Sequence, residues 1–150
     1  MILVDTNVLV YAVNLDAPGH AASRALVEAT GEKKVAGVLF PQILLEFFAI
    51  VTDHRRVEKP LDPQIAWEQV EAFRTIFPVL DGGPKSLDLL GGLVRKTKGA
   101  DIFDAFLVAQ MKANGISNLC TYNKKDFLKF SGIAVQTPEE VLSAFDRGNA

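Results

Sequence analysis

Four carboxylates in this 150-residue chain stand alone in apolar surroundings or at the end of an apolar run, and they are where chemistry is to be sought. Asp5 closes the run Ile2-Leu3-Val4. A run so short and rich in β-branched residues suits a strand buried on both faces, and open α/β sheets carry function beyond the carboxyl ends of their strands. Glu46 interrupts a segment, residues 43–51, that is otherwise wholly apolar and would make a buried helix. Its neighbours at i−4, i−3, i+3 and i+4 are Gln42, Ile43, Ala49 and Ile50, so no cation on its own helix compensates it. Asp104 sits in the same way among Ile102, Phe103, Ala105 and Phe106, and Asp101, three residues earlier, adds a like charge rather than a partner. Asp126 lies just past a late apolar run.

Burying one unpaired carboxylate costs several kcal/mol, so a group from elsewhere must compensate it. The plain alternatives are an ion pair with a distant Arg or Lys, or, for Asp5, a turn or helix-capping role. Taken together, the four acids belong at the carboxyl edge of one sheet. Two such charges ~4 Å apart repel by about 4 kcal/mol at an effective dielectric near 20, and a divalent cation removes that penalty. With no histidine or cysteine to add, all-carboxylate ligation selects Mg²⁺ or Mn²⁺ over zinc. Such ions serve phosphate chemistry, polarising a phosphoryl oxygen and lowering the pKa of an attacking water.

The elements that must position these acids are legible in the periodicity. Residues 2–4 read as a strand, followed by helices over 6–14 and 20–30 and a second strand over 35–40. Pro41 opens a helix running to about Thr52, and Pro63 opens another ending near Pro78. Residues 78–81 read as a short strand, and 85–98 as a helix weakened by Gly91-Gly92. A helix over 101–114, a strand over 118–122, a short helical or irregular piece to Gly132 and a strand over 133–135 follow. Thr137-Pro138-Glu139-Glu140 is a capping box opening a final helix over 138–146. Strands alternating with helices predict an α/β fold, a parallel sheet covered on both faces.

Composition bounds the rest. With 49% hydrophobic and 23% charged residues, 1–150 reads as one domain with an ample core. A net charge of −2 supplies no global field for holding nucleic acid, so a polyanion must be held locally. The single cysteine, Cys120, excludes an internal disulfide and fits a reducing cytoplasm. His20 and His54 are too few and too far apart for a zinc cluster, and His54 reads as a surface residue. The N-terminus has no signal-peptide pattern, and Pro41, Gln42 and Glu46 argue against a membrane span in the most apolar stretch.

Four motifs carry a resemblance: I-L-V-D-T-N-V-L at the start, L-L-E-F-F-A-I-V-T around Glu46, I-F-D-A-F-L-V-A at Asp104 and L-C-T-Y-N-K-K-D-F at the late strand. In order and spacing they resemble the PIN-domain ribonucleases, and within them the VapC-like toxins of toxin–antitoxin pairs. The resemblance implies a three-layer α/β/α fold with a central parallel sheet of about five strands, a Mg²⁺ or Mn²⁺ centre, and hydrolysis of RNA phosphodiesters leaving a 5′ phosphate and a 3′ hydroxyl. It makes Asp5, Glu46 and Asp104 the metal-holding acids and Thr6 and Asn7 polar supports. For the fourth position it offers Asn123, two residues after Thr121, or Asp126 as substitute. Asp101 then caps its helix or holds an outer-shell water. Partners implied are an RNA substrate, a cognate antitoxin and a second copy in a homodimer, with no membrane. The apolar helices near the N-terminus and over 63–76 are candidate surfaces for these proteins.

Arg55, Arg56 and Lys59 after the Glu46 helix, and Lys124, Lys125 and Lys129 around Asp126, are either RNA-backbone contacts or an ordinary solvated face. Two other functions compete. A non-catalytic PIN-like module binding RNA or protein gains support from Asn123. An aspartyl phosphotransfer domain is poorer, because Asn7 stands at +2 from Asp5 where a second acid is required.

Overall fold

In the computed structural model, which describes residues 1–148, four short strands lie in one parallel sheet of order β2-β1-β3-β4. The strands are β1 (Ile2–Val4), β2 (Gly37–Val38), β3 (Asn118–Cys120) and β4 (Ala134–Gln136). The helices α1 (Thr6–Val13), α2 (His20–Gly31), α3 (Pro41–Val51), α4 (Pro63–Ile76), α5 (Gly83–Gly91), α6 (Asp101–Ala113), α7 (Lys124–Phe127) and α8 (Pro138–Gly148) flank it as the outer layers of an α/β/α sandwich. Asn149 and Ala150, the end of the expected domain 1–150, lie outside the described residues.

The sheet has four strands where about five were expected. The apolar run 35–40 pairs as strand only over Gly37–Val38. Residues 78–81 reduce to an isolated parallel bridge, Leu39 to Val79, held by Leu39 N to Pro78 O at 3.0 Å and Leu80 N to Leu39 O at 2.9 Å. Pro78 has no N–H to extend the ladder, and Asp81-Gly82-Gly83-Pro84 turns the chain away at once. The helix expected over 85–98 also shortens. It stops at the Gly91-Gly92 pair, leaving a 3₁₀ turn at Val94–Lys96 before Gly99, whose φ of 54° breaks the path.

Register places the functional edge. Val4 pairs with Cys120 in the two central strands, so the next residues, Asp5 and Thr121, emerge side by side. The chain runs from β1 to β2 on one side, while β3 and β4 build the other, which makes the β1–β3 boundary the switch point where open α/β sheets form their crevice. Beneath it Leu3, Leu9, Leu39, Phe40, Phe47 and Leu119 are fully buried in one apolar core. Cys120 joins that core as expected, and burial pushes its thiol well above the ordinary range. Thr137 and Glu140 form the anticipated capping box of α8, with Glu140 Oε2 accepting from Thr137 N at 2.8 Å. No helix among the described residues is long and apolar enough to cross a membrane.

Candidate metal centre

Asp5 leaves β1 as the N-cap of α1, its Oδ1 accepting from Thr6 N at 2.8 Å. The capping alternative is therefore realised, and it coexists with burial: the residue is only 6% exposed. Its Oδ2 accepts from the Thr121 hydroxyl at 2.7 Å and from Asn7 Nδ2 at 3.1 Å. Both Oδ2 lone pairs are thus in use, and Oδ1 retains the free one. Burial raises the Asp5 carboxyl above its ordinary range despite the Thr121, Thr6 and Asn7 donors that oppose the shift, and the charge of Glu46 raises it further.

Asn7, implied as a support by the resemblance, forms a single bracket with Thr121. Asn7 Nδ2 also reaches Thr121 Oγ1 at 2.9 Å, and Asn7 Oδ1 accepts from Tyr122 N at 3.0 Å, which fastens the β3 loop to α1. The Thr6 hydroxyl turns the other way, donating to Glu46 Oε2 at 2.9 Å. Gln42 Nε2 donates to Glu46 Oε1 at 2.8 Å, so each oxygen of Glu46 holds one donor and keeps a second lone pair.

Asp104, in the first turn of α6, accepts no hydrogen bond among the described residues. Its carboxyl is pushed up to about 6, first by burial and then by the charges of Asp5, Asp126 and Glu46, with Lys129 opposing. The acids singled out from four separate segments therefore lie near enough to destabilise one another's charge. Among the described residues, no three His, Cys, Asp or Glu side chains converge as a ready cage. The donor set nevertheless suits a hard divalent cation: oxygen ligands alone, spare lone pairs on Asp5, Glu46 and Asp104, and mutual repulsion that a cation relieves.

Asp101 is corrected in one respect. The N-cap of α6 is Ala100, and Asp101 Oδ2 instead accepts from Lys129 Nζ at 3.0 Å. Asp126 is exposed in α7, its charge felt by Asp104, while Asn123 is exposed and uses its backbone N–H to hold Thr121 Oγ1 at 3.0 Å. Of the basic residues, Arg55 is paired with Asp53 at 2.9 Å, an interaction that holds the Asp53 carboxyl down at about 2, and Lys124 is paired with Glu140 at 2.8 Å. Arg56 and Lys125 are exposed, and Lys129 is the cation that faces the acids. Sequence reasoning passed over Gln42 as a mere neighbour of Glu46 and did not reach Gln110. The i, i+4 spacing of Gln42 and Glu46 was the available signal.

The PIN-domain family model matches residues 2–133. The chain belongs to the PIN-domain family. Its curated relatives include Ribonuclease VapC24 of Mycobacterium tuberculosis, 30% identical over 143 residues covering 92% of this chain and 97% of that protein. Ribonuclease VapC48 of the same organism is 31% identical over 144 residues, covering 89% and 94% respectively. Among solved structures, VapBC2 from Rickettsia felis bound to a promoter DNA fragment aligns over 91% of this chain and 98% of that one, with a TM-score of 0.66 at 19% identity. The sarcin–ricin-loop-cleaving toxin VapC20 of M. tuberculosis aligns over 79% and 87%, with a TM-score of 0.57 at 21% identity. These structural likenesses bear on the PIN fold. The PIN family match spans all three core acids and Asp126.

Proposed function

We propose that this PIN-domain chain is a Mg²⁺- or Mn²⁺-dependent endoribonuclease, the toxin of a toxin–antitoxin pair, working in the cytoplasm as one domain. The observation that supports the reading is the crowding of carboxylates at the β1–β3 switch point, where burial and then the charges of Asp5, Asp126 and Glu46 raise the Asp104 carboxyl. The full-length similarity to VapC ribonucleases supports the activity, and the VapBC complexes among its structural relatives support an antitoxin partner.

In this reading Asp5 through Oδ1, Glu46 through either oxygen, and Asp104 hold the metal, with Asp126 completing the set. The metal supplies polarisation of the phosphoryl oxygen and a lower pKa for the attacking water. The protein's part is to hold the carboxylates ready. Thr121 and Asn7 fix Asp5, Thr6 fixes Glu46, and burial by the core beneath Asp5 keeps bulk water from that side. No side chain acts as a nucleophile. Asp104 must be deprotonated to take part, and its carboxyl in the metal-free protein is pushed up to about 6, so protons compete with the metal and metal binding weakens as the pH falls.

Two apolar surfaces suit the protein partners. A groove of about 440 Å³ between α1, α2 and α4, floored by Val13, Val27, Phe73 and Ile76, suits an antitoxin helix or strand. Leu45 on α3 and Phe103 on α6, 62% and 57% exposed, each precede a site acid and suit a homodimer face that brings two RNA sites together. The test is cleavage of a structured RNA pool by antitoxin-free protein with Mg²⁺, Mn²⁺ or EDTA, beside Asp104→Asn. Metal-dependent cutting lost in the variant is expected. RNA bound but left whole by the metal-loaded wild type would move the non-catalytic binding module to the front.

A further inference from the structure

We propose that Gln42 and Gln110 are positioning residues, a directional amide relay between α3 and α6 that aims the Glu46 carboxylate at the metal position without neutralising it. The inference rests on the metal-dependent reading above. Gln42 is two turns of logic in one side chain: its Nε2 donates both to Glu46 Oε1 at 2.8 Å and to the Phe103 carbonyl at 3.2 Å, and its Oε1 accepts from Gln110 Nε2 at 3.1 Å. The orientation is dictated by chemistry. A carboxylate and a peptide carbonyl can only accept, so the end of Gln42 that faces them must be the NH₂. Its carbonyl end must then face Gln110, which in turn must present its own NH₂.

Gln110 is 4% exposed on α6, where a polar side chain is expensive to bury without a partner. Its side chain hydrogen-bonds Gln42 and, among the described residues, no acid of the site. The orientation of Gln42 is set by Glu46 and the Phe103 carbonyl, and Gln110, by donating to Gln42 Oε1, satisfies the far end of the amide and holds the side chain in place. The relay also joins the two helices that carry Glu46 and Asp104, since the same Nε2 holds Glu46 and the residue preceding Asp104. An arginine or lysine at position 42 would hold Glu46 equally well but would cancel the charge a cation needs. A neutral amide orients the ligand and leaves its charge intact.

The experiment is Mn²⁺ titration by calorimetry at 20–25 °C with thermal unfolding alongside, on wild type, Glu46→Gln, Gln42→Met, Gln110→Met and the Gln42→Met/Glu46→Gln double variant. Methionine keeps the length and helix propensity of glutamine and removes both hydrogen-bonding ends. Gln42→Met and Gln110→Met are each expected to weaken Mn²⁺ binding about tenfold, the usual consequence of losing an outer-shell partner. In the Glu46→Gln background, Gln42→Met is expected to add nothing, because the ligand it aims is already gone. Gln110→Met leaves every group touching Glu46 in place and so carries the test if Gln42→Met does not fold. Glu46→Gln weakened but both methionine variants binding as wild type, with only their melting temperatures lowered, overturns the relay and leaves the metal site standing. A wild type that binds no Mn²⁺, or a Glu46→Gln that binds as well as wild type, overturns the metal reading and the relay with it.

Discussion

Asp104→Asn should make this protein more stable while removing its activity. In the wild type the Asp104 carboxyl rises from 3.8 to about 6 on folding, driven first by burial and then by Asp5, Asp126 and Glu46. The charged form is therefore penalised in the folded state, at full value by ~3 kcal/mol. Water reaches part of this carboxylate, and screening brings the expected contribution to ~1–1.5 kcal/mol. The sign follows from linkage: the folded protein holds the proton more tightly than the unfolded chain, so the penalty is present above pH about 6 and fades as pH falls from there towards 3.8. Urea unfolding of metal-free wild type and Asp104→Asn at several pH values measures it. The variant should be the more stable by ~1 kcal/mol at pH 7, with the gap closing by pH 4. Mg²⁺ should then raise wild-type stability and do little for the variant, since only a ligand for the native state shifts the balance. A variant less stable than wild type at pH 7, or a gap that widens on acidification, would refute the charge-crowding account of Asp104.

Thr121→Val removes the hydroxyl that donates to Asp5 Oδ2 while keeping the buried volume, and should cost ~1.5–3 kcal/mol with a weakened response to Mn²⁺. Thr121→Ser, which keeps the donor, should retain that response, as differential scanning fluorimetry with and without Mn²⁺ will show. At the α3–α6 surface, Leu45→Lys or Phe103→Lys should turn a dimer into a monomer by light scattering with little change in melting temperature, because both side chains are exposed in the single chain.

The starts of most helices were legible because their signals are local, whereas strands expected over 35–40 and 118–122 pair only over Gly37–Val38 and Asn118–Cys120. Pro41, Pro63 and the Thr137–Glu140 box act within one turn of where they stand, and each opens the helix anticipated for it. The reduction of the expected strand over 78–81 to a single bridge was not legible, since it depends on how much extended chain remains beyond β2 to pair with, and only Leu39 does. The capping alternative for Asp101 failed for a related reason. Its place at the start of α6 suggested a cap, but Lys129, 28 residues on, takes its carboxylate.

What the amino-acid sequence determined by itself is the chemistry on offer: carboxylates such as Glu46 and Asp104 set into apolar segments, with no cation within helical reach of either to cancel its charge. That much follows from residue types and short spacings, which survive any arrangement of the elements. Tertiary structure decided which acids meet and what holds them. The Val4–Cys120 register sets Thr121 against Asp5 across 116 positions, and the placing of α3 beside the start of α6 lets Gln110 reach Gln42 across 68. Contacts between segments so far apart leave no periodic trace in either one, because each is selected by the geometry of the assembled sheet edge rather than by its own neighbours.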